Sequence, residues 1–162
     1  MNPDHPSPRF SLIVPTMKRL DDVRRLFVSI RENLAAGLEV IIVDQNEDGL
    51  LDALCAEFQP VFPLRHEKIK AAGASRARNH GLQFATGQII NFPDDDCELT
   101  PGLLARVAER FDAEPGLDML FGRAVDKESL QRSVTRFSEE AQPVKARNVF
   151  STTVEFTMFL RR

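Results

Sequence analysis

A chain of 162 residues, of which 43% are hydrophobic and 28% are charged, has the size and composition of a single globular domain. Its formal net charge is only -3 and its Lys and Arg residues are scattered, so we expect no nucleic-acid partner. No apolar run approaches the roughly 20 residues that span a bilayer. The start of the chain is polar and Pro-rich, so we expect no transmembrane segment and a cytoplasmic location. Cys55 and Cys97 are too few for a disulfide framework and are predicted to be reduced thiols.

The first part of the chain predicts a strand, a helix and a second strand. Residues 10–15 and 38–43 are short, nearly continuous apolar runs, as in strands that are covered on both faces of a sheet. Between them, apolar residues recur at helical spacing over residues 20–34, and Gly37 supplies a helix stop. Such a unit implies parallel strands joined by a right-handed crossover.

The same alternation of helices and strands continues toward the C-terminus. We expect helices over residues 50–58 and 73–85, a third helix with Thr100 as its N-cap and Pro101 as its first residue, and strands at 61–66, 88–93 and 119–124. Pro63 marks the strand at 61–66 as an edge or irregular strand. Residues 125–148 are polar with little periodicity and predict a surface excursion or mobile loop with room for one short helix. Alternating apolar residues over 149–160 predict a final strand with one buried face.

Polar residues follow three of the predicted strands, at the point where each strand ends. They are Pro15-Thr16, Asp44-Gln45-Asn46 and Asp94-Asp95-Asp96. In an open parallel sheet, ligands bind outside the carboxyl ends of the strands. We therefore expect these three groups to face one edge of the sheet although they are far apart in sequence.

The acidic triplet and a nearby pair of arginines suggest what that edge binds. Three adjacent carboxylates repel one another, whereas a structural turn needs only one of them, so Asp94 to Asp96 favour a bound cation over the alternative of a solvated acidic turn. Arg76 and Arg78 lie in the first turns of the helix that Gly73 opens, where backbone amides favour an anion such as a diphosphate. For Arg76, a merely solvated side chain is an equal alternative.

Several other classes of acidic or nucleotide site need a signature after the first strand that this chain lacks. Phosphoacceptor receiver domains and haloacid dehalogenase phosphatases need acidic residues there, dinucleotide-binding domains need a Gly-rich turn, and P-loops need Gly-Lys-Ser or Gly-Lys-Thr. The first strand instead ends in Pro-Thr-Met-Lys. The three histidines, His5, His66 and His80, share no metal-ligand spacing and are predicted to be ordinary surface or partly buried residues.

Five pieces of the sequence, in this order, resemble the donor half of the family 2 glycosyltransferases of the glycosyltransferase A fold. They are Ser-Leu-Ile-Val-Pro-Thr at 11–16, Val-Ile-Ile-Val-Asp at 40–44, Ala77-Arg78-Asn79 with Gly81, Gly87 followed seven residues later by the acidic triplet, and Pro101. The resemblance covers residues 11–111 and is weaker beyond them. It implies an α/β fold with a Rossmann-like, mostly parallel sheet flanked by helices.

The resemblance also implies roles for individual residues in a nucleotide-sugar site. Pro15, Thr16 and Asp44 would border the base, and Arg78 would lie near the base or the diphosphate. Asp94 would approach the ribose, Asp96 would hold a Mn or Mg ion against the phosphates, and Asp95 would assist either one. The implied reaction is metal-dependent, inverting transfer of a sugar from a nucleoside diphosphate sugar to an acceptor hydroxyl on an unknown saccharide or lipid-linked molecule. The resemblance also implies a role in polysaccharide biosynthesis.

The chain departs from the family pattern in two places. After the second strand the family often has Asp-Asp-Gly-Ser, where this chain has Asp44-Gln-Asn-Glu. The family generally continues into an acceptor-binding half that carries the catalytic base, and the chain ends before such a half is visible. Glu139, Glu140 and Glu155 match no base motif, so no base is assigned, and Trp and Tyr, which commonly hold sugar acceptors, are absent.

These departures predict that the chain is truncated at its C-terminus and is mainly a donor-binding part. We expect a flexible tail at 1–9, a donor-binding α/β domain at 10–124, and in 125–162 a polar excursion and a final strand that begin an incomplete acceptor region. Apolar surface exposed at the cut would favour a homo-oligomer. A nucleotide-sugar binding module without turnover and a nucleotidyltransferase are the alternatives to a glycosyltransferase. The nucleotidyltransferase is disfavoured because Met17-Lys18-Arg19 contains no Gly.

Overall fold

The computed structural model describes residues 8–70, 73–129 and 140–162, without the side chains of Ser151 and Thr152. Strands and helices alternate through most of these ranges. In chain order they are β1 (Phe10–Thr16), α1 (Leu20–Arg31), β2 (Leu38–Asp44), α2 (Asp52–Phe58), β3 (Leu64–Lys68), α3 (Ala74–Leu82), β4 (Ile89–Asn91), α4 (Leu103–Ala113), β5 (Met119–Phe121), α5 (Val149–Thr152) and β6 (Met158–Arg161). Short 3₁₀ helices occupy Leu34–Ala36 and Glu155–Thr157.

The strands form a single sheet in the order β3-β2-β1-β4-β6-β5. β1 pairs in parallel with both β2 and β4, and β2 pairs in parallel with β3. β6 runs antiparallel to both of its neighbours, β4 and β5. The predicted α/β fold with a mostly parallel sheet is confirmed, and the carboxyl ends of β1, β2 and β4 lie at one edge of it.

Helices cover both faces of the sheet, which explains the continuous apolar character of its central strands. On one face, Phe10, Leu12 and Val14 of β1 pack with the buried residues of α1, α2 and α4. On the other face, Ile13 of β1 packs with Ile41, Val43 and Ala77, and so with α3. Full burial of each such side chain contributes on the order of 1.5–3 kcal/mol, so both helical layers are held on the sheet mainly by apolar contact.

Gly81 determines how closely α3 lies on the sheet. A Cβ atom at this position would lie 2.5 Å from Cγ2 of Ile13 and 3.0 Å from Cγ2 of Val43. Side chains cannot approach so closely, so only glycine permits this helix-to-sheet distance. The close packing fixes the height of Arg78, one turn earlier on the same helix, above the carboxyl edge.

Some local predictions are wrong, and the first concerns the start of α4. Helix α4 begins at Leu103 and not at Pro101, because Gly102 stands at the N-cap position with φ of 69° and Thr100 and Pro101 form the turn before it. The N–H of Leu104 is instead capped from another element, by Oδ1 of Asn33 at 3.2 Å.

The segment 149–160, predicted to be one strand, is α5, a 3₁₀ helix and only then β6. Local hydrogen bonds replace sheet pairing here. The hydroxyl of Thr153 donates to the carbonyl of Val149 at 2.6 Å, and the hydroxyl of Thr157 donates to the carbonyl of Val154 at 2.8 Å. Thr side chains that bond to nearby carbonyls offer the backbone an alternative to the sheet, which alternation alone does not reveal.

Several other predictions concern the ends of the chain, its thiols and the membrane. Most of the predicted flexible tail, including His5, and the 130–139 part of the polar excursion, including Glu139, lie outside the described residues. Cys55 and Cys97 are free thiols, and burial raises their pKa to about 12 and about 11. In the described part of the chain no helix combines the length and the apolar character that crossing a membrane requires.

Candidate functional site

The ends of β1 and β2 build a buried, polar floor at the carboxyl edge of the sheet. Thr16 and Asp44 are register partners on the two strands, and Pro15 beside them is also buried. The side chain of Asp44 is fully buried, and its Oδ1 accepts hydrogen bonds from the backbone N–H of Asn46 at 2.8 Å and from the Asn46 amide at 2.7 Å. Its Oδ2 lies 2.9 Å from Nε2 of His66. Asp44 is therefore held in one orientation by partners on both sides.

Thr16 is the residue of this floor that lies next to the acidic triplet. Its hydroxyl oxygen is buried and makes no hydrogen bond of good geometry among the described residues. Burial raises the pKa of Asp95, and the Thr16 side chain lies close enough to that carboxylate to offset part of the rise. A buried hydroxyl without a full partner is rare in native proteins and is a candidate contact for a ligand.

The acidic triplet follows β4 in a turn closed by the N–H of Cys97, which donates to the carbonyl of Asp94 at 3.2 Å. Burial raises the pKa of Asp94 and of Asp95, and the neighbouring charge of Asp96 raises both further. Asp96 itself is about half exposed and forms an ion pair with Arg19, whose guanidinium also lies 3.5 Å from Asp95. The three carboxylates lie at one strand end and repel one another. Their oxygens are hard ligands of the kind that Mg²⁺ and Mn²⁺ accept.

Arg78 joins the triplet to the segment before β6. One guanidinium nitrogen donates to Oδ1 of Asp94 at 2.8 Å, and another donates to Oε1 of Glu155 at 2.7 Å. The arginine side chain is only 16% exposed, and its Nε is buried without a hydrogen-bond partner among the described residues. Arg76, on the same helix, is exposed. This exposure agrees with the alternative prediction that Arg76 is only a solvated side chain.

The two hydrogen bonds of Arg78, to Asp94 and to Glu155, are called the bridge below. An open cleft of about 600 Å³ lies beside the bridge, on the side of β6 and β5. Asp94 and Glu155 supply its polar wall. Its other lining residues are mostly apolar or half-buried: Phe121, Thr153, Val154, Phe156 and Met158. The sequence analysis did not predict the cleft, because it depends on contacts between residues that are about 60 positions apart.

A second group of potential ligand atoms was also missed. Single atoms of Asp44, Asp52 and His66 lie within 4.8 Å of one another. His66 was predicted to be an ordinary histidine, and the strand that carries it was placed at 61–66 instead of Leu64–Lys68. The β2–β3 register is the signal that could have revealed this group. In that register Ile42 faces His66, so Asp44 is the diagonal neighbour of His66.

Protein partners already satisfy this second group. Both oxygens of Asp44 are engaged by Asn46 and His66, and Asp52 pairs with Lys68 at 2.5 Å. A cation there would have to displace these contacts, whereas the acidic triplet has carboxylates that burial and mutual repulsion destabilise. Asp94 and Asp96 are themselves paired with Arg78 and Arg19, so a divalent ion at the triplet would also exchange protein contacts.

Known proteins resemble the chain in both sequence and fold. A glucosyltransferase of Campylobacter jejuni, GalNAc(5)-diNAcBac-PP-undecaprenol beta-1,3-glucosyltransferase, is 29% identical over 126 residues, which cover 75% of this chain and 40% of that protein. The crystal structure of Staphylococcus aureus TarS residues 1–349 superposes with a TM-score of 0.81 at 22% identity, over 94% of this chain and 47% of that one.

A third similar protein was solved with a nucleotide sugar and a metal ion. The mannosyltransferase PcManGT of Pyrobaculum calidifontis, solved with GDP-Man and Mn²⁺, superposes with a TM-score of 0.62 at 28% identity, over 70% of this chain and 35% of that one. The chain thus spans less than half the length of each of these three proteins. Residues 11–162 match the family described as Glycosyl transferase family 2, and the chain belongs to that family.

Proposed function

We propose that this chain forms the donor-binding part of a glycosyltransferase, which binds a nucleoside diphosphate sugar along the carboxyl edge of the sheet. One observation carries the proposal. Asp44 of β2, Thr16 of β1, Arg78 of α3 and the triplet after β4 come from four separate elements and meet at one edge, where open α/β sheets bind their ligands. Membership of a glycosyltransferase family supplies the class of ligand.

In this proposal the base lies over the floor made by Pro15, Thr16 and Asp44. Burial and the contacts with Asn46 and His66 fix the Asp44 carboxylate before a ligand arrives, which lowers the entropy cost of binding. The buried hydroxyl of Thr16 is available for a further hydrogen bond. Asp94 approaches the ribose, with Arg78 held against it and directed toward the diphosphate.

We further propose that Asp96, assisted by Asp95, holds a Mn²⁺ or Mg²⁺ ion against the diphosphate. When bound, such an ion would neutralise the charge that develops on the leaving nucleoside diphosphate. Asp96 would exchange its ion pair with Arg19 for the cation, which costs little because both side chains are about half exposed. The Mn²⁺ present with GDP-Man in PcManGT supports this reading.

The reaction that we propose is inverting transfer of the sugar to an acceptor hydroxyl. No described acid is assigned as the base that deprotonates the acceptor, so this part of the reaction rests with the whole protein. The name of the Campylobacter relative specifies an undecaprenol-linked glycan, which supports a lipid-linked acceptor over a free saccharide.

Thermal stability in the presence of nucleotides tests the donor site. The chain is melted with UDP, GDP, CDP, ADP and TDP, each with and without Mn²⁺, because a ligand present at a hundred times its Kd stabilises the folded state by about 2.7 kcal/mol. We expect a rise in Tm with at least one nucleotide that is larger when Mn²⁺ is present.

A pair of matched variants locates the metal. Asp96→Ala should abolish the Mn²⁺-dependent part of the shift. Asp48→Ala should retain it, because Asp48 is exposed and only accepts the N–H of Leu50 at 3.2 Å in a turn. No shift with any nucleotide, in either the presence or the absence of Mn²⁺, would contradict the donor-binding function.

A further inference from the structure

The cleft beyond β4 lies where the donor's sugar should be if the nucleotide follows the sheet edge. In the strand order, β2 and β1 carry the proposed base floor, β4 carries the triplet for the diphosphate, and β6 is the next strand along. Neighbouring strands are about 4.8 Å apart, so β6 lies roughly 14 Å from β2 across three spacings. A donor that extends from base to sugar in this direction reaches β6 with its sugar.

The start of β6 belongs to the same edge, although the strand is antiparallel to β4. Asn91 at the end of β4 faces Phe159, so Met158 and the residues before it continue past the carboxyl end of β4. The amide of Asn91 also donates to the carbonyl of Met158 at 2.8 Å and holds this segment in place. Phe121 at the carboxyl end of β5 forms the far wall of the cleft.

Glu155 is the anchored polar side chain of this cleft. Its Oε1 accepts the hydrogen bond from Arg78 at 2.7 Å, yet the side chain is 66% exposed. A carboxylate that one strong contact orients, and that lines an open cleft, can accept hydrogen bonds from a ligand on its second oxygen. The half-buried Phe121, Phe156 and Met158 around it offer apolar surface for the C–H faces of a sugar ring.

We propose that Glu155 is a specificity-determining residue that accepts a hydrogen bond from a hydroxyl of the donor's transferred sugar in this cleft. The proposal rests on the donor-binding function proposed above and adds to it the place of the sugar and the residue that reads it. Glu155 thus has two partners when the donor is bound: Arg78 on one oxygen and the sugar on the other.

The distinguishing measurement is the difference between a nucleoside diphosphate and the same nucleotide with its sugar. Dissociation constants are measured by calorimetry with Mn²⁺ for UDP and UDP-GlcNAc and for GDP and GDP-mannose, in the wild type and in Glu155→Ala and Glu155→Gln. In Glu155→Ala we expect the Kd of the bound nucleotide sugar to rise about tenfold to a hundredfold, which is the range for a hydrogen bond to a charged group. The Kd of the matching diphosphate should change less than about twofold.

Glu155→Gln keeps an acceptor oxygen of the same shape without the charge, so its effect should be smaller than that of Glu155→Ala and should affect the nucleotide sugar alone. Glu57→Gln is the matched control. Glu57 accepts a hydrogen bond from Arg24 at 2.8 Å, is about as exposed as Glu155, and lies on α2 away from the carboxyl edge. This variant should leave all dissociation constants unchanged.

Two outcomes would overturn the assignment of Glu155. If Glu155→Ala weakened diphosphate and nucleotide sugar by the same factor, Glu155 would act only by holding Arg78 against Asp94. If Glu155→Ala changed neither dissociation constant, the sugar would lie elsewhere. Failure of the wild type to bind these four probes and also CDP, ADP and TDP would instead contradict the donor-binding function itself, and the proposal for Glu155 with it.

Discussion

Replacing Gly81 with Ala tests whether the height of α3 above the sheet matters for the site. The new Cβ would lie 2.5 Å from Cγ2 of Ile13 and 3.0 Å from Cγ2 of Val43, both of which belong to fully buried side chains. Neither strand residue has free space into which to withdraw. The helix must therefore move outward, and Arg78 moves with it.

Two opposing effects set the magnitude. Alanine is the better helix former by about 0.8–1 kcal/mol, whereas overpacking a well-packed core costs about 1–3 kcal/mol. Because two buried methyl groups are crowded at once, we place the cost in the upper half of that range and expect a net destabilisation of about 1–2 kcal/mol. For a chain of this size the change corresponds to a fall in Tm of about 2–8 °C.

Urea denaturation and thermal melting measure the effect, with Gly116→Ala as the matched control. Gly116 lies in a turn where an added Cβ meets no heavy atom within 4 Å, so this variant should be neutral or stabilising by about 0.4–1 kcal/mol. Ile13→Ala removes the crowded Cγ2, and in that background Gly81→Ala should cost less. A Gly81→Ala protein as stable as the Gly116→Ala protein would refute the close-packing argument.

Three other variants test contacts away from this interface. Arg78→Lys should destabilise the fold by about 1 kcal/mol and weaken diphosphate binding, because one ammonium group cannot span Asp94 and Glu155 as the guanidinium does. Unchanged urea denaturation and unchanged diphosphate binding would contradict the role of the bridge. Asn33→Ala should cost about 1–3 kcal/mol in urea denaturation, since it leaves the buried N–H of Leu104 without its acceptor; a loss below about 0.5 kcal/mol would contradict the capping role. In a Cys97→Ser background, Cys55 should resist disulfide reagents at pH 8 until the protein unfolds. The reason is that a pKa of about 12 leaves a thiolate fraction of about one in ten thousand. Rapid reaction of the folded protein would contradict this prediction.

The carboxyl-edge argument allowed much of the site to be predicted without coordinates. Apolar runs identify buried strands, and in a parallel sheet their carboxyl ends must share an edge, so Thr16, Asp44 and the triplet could be grouped before their contacts were known. The register pairing of Thr16 with Asp44 and the bond between Arg78 and Asp94 agree with that grouping. The roles of these residues toward a ligand remain predictions.

The parts that sequence reasoning missed depend on information that local patterns do not contain. The bridge from Arg78 to Glu155 joins residues 77 positions apart, and no periodicity links them. The diagonal contact of Asp44 with His66 depends on the exact β2–β3 register, and the predicted strand was wrong by three positions at its start and two at its end. The C-terminal segment was misread because side-chain bonds of Thr153 and Thr157 competed with the sheet pairing that its alternation favours.

The bridge through Arg78 decides which variants can be read singly. Asp94 and Glu155 share this one guanidinium, so removing either carboxylate frees an arm of Arg78 and alters the field at the other. Their effects on diphosphate binding should therefore be non-additive, and a double-mutant cycle measures that coupling, whereas the ratio of the nucleotide-sugar and diphosphate dissociation constants isolates the proposed sugar contact of Glu155. Asp96 has a different cationic partner, Arg19, and its side chain is half exposed. A loss of Mn²⁺ dependence in Asp96→Ala thus reports on the metal without removing a hydrogen bond of the bridge, which is why Asp96 and not Asp94 is the residue that tests the cation site.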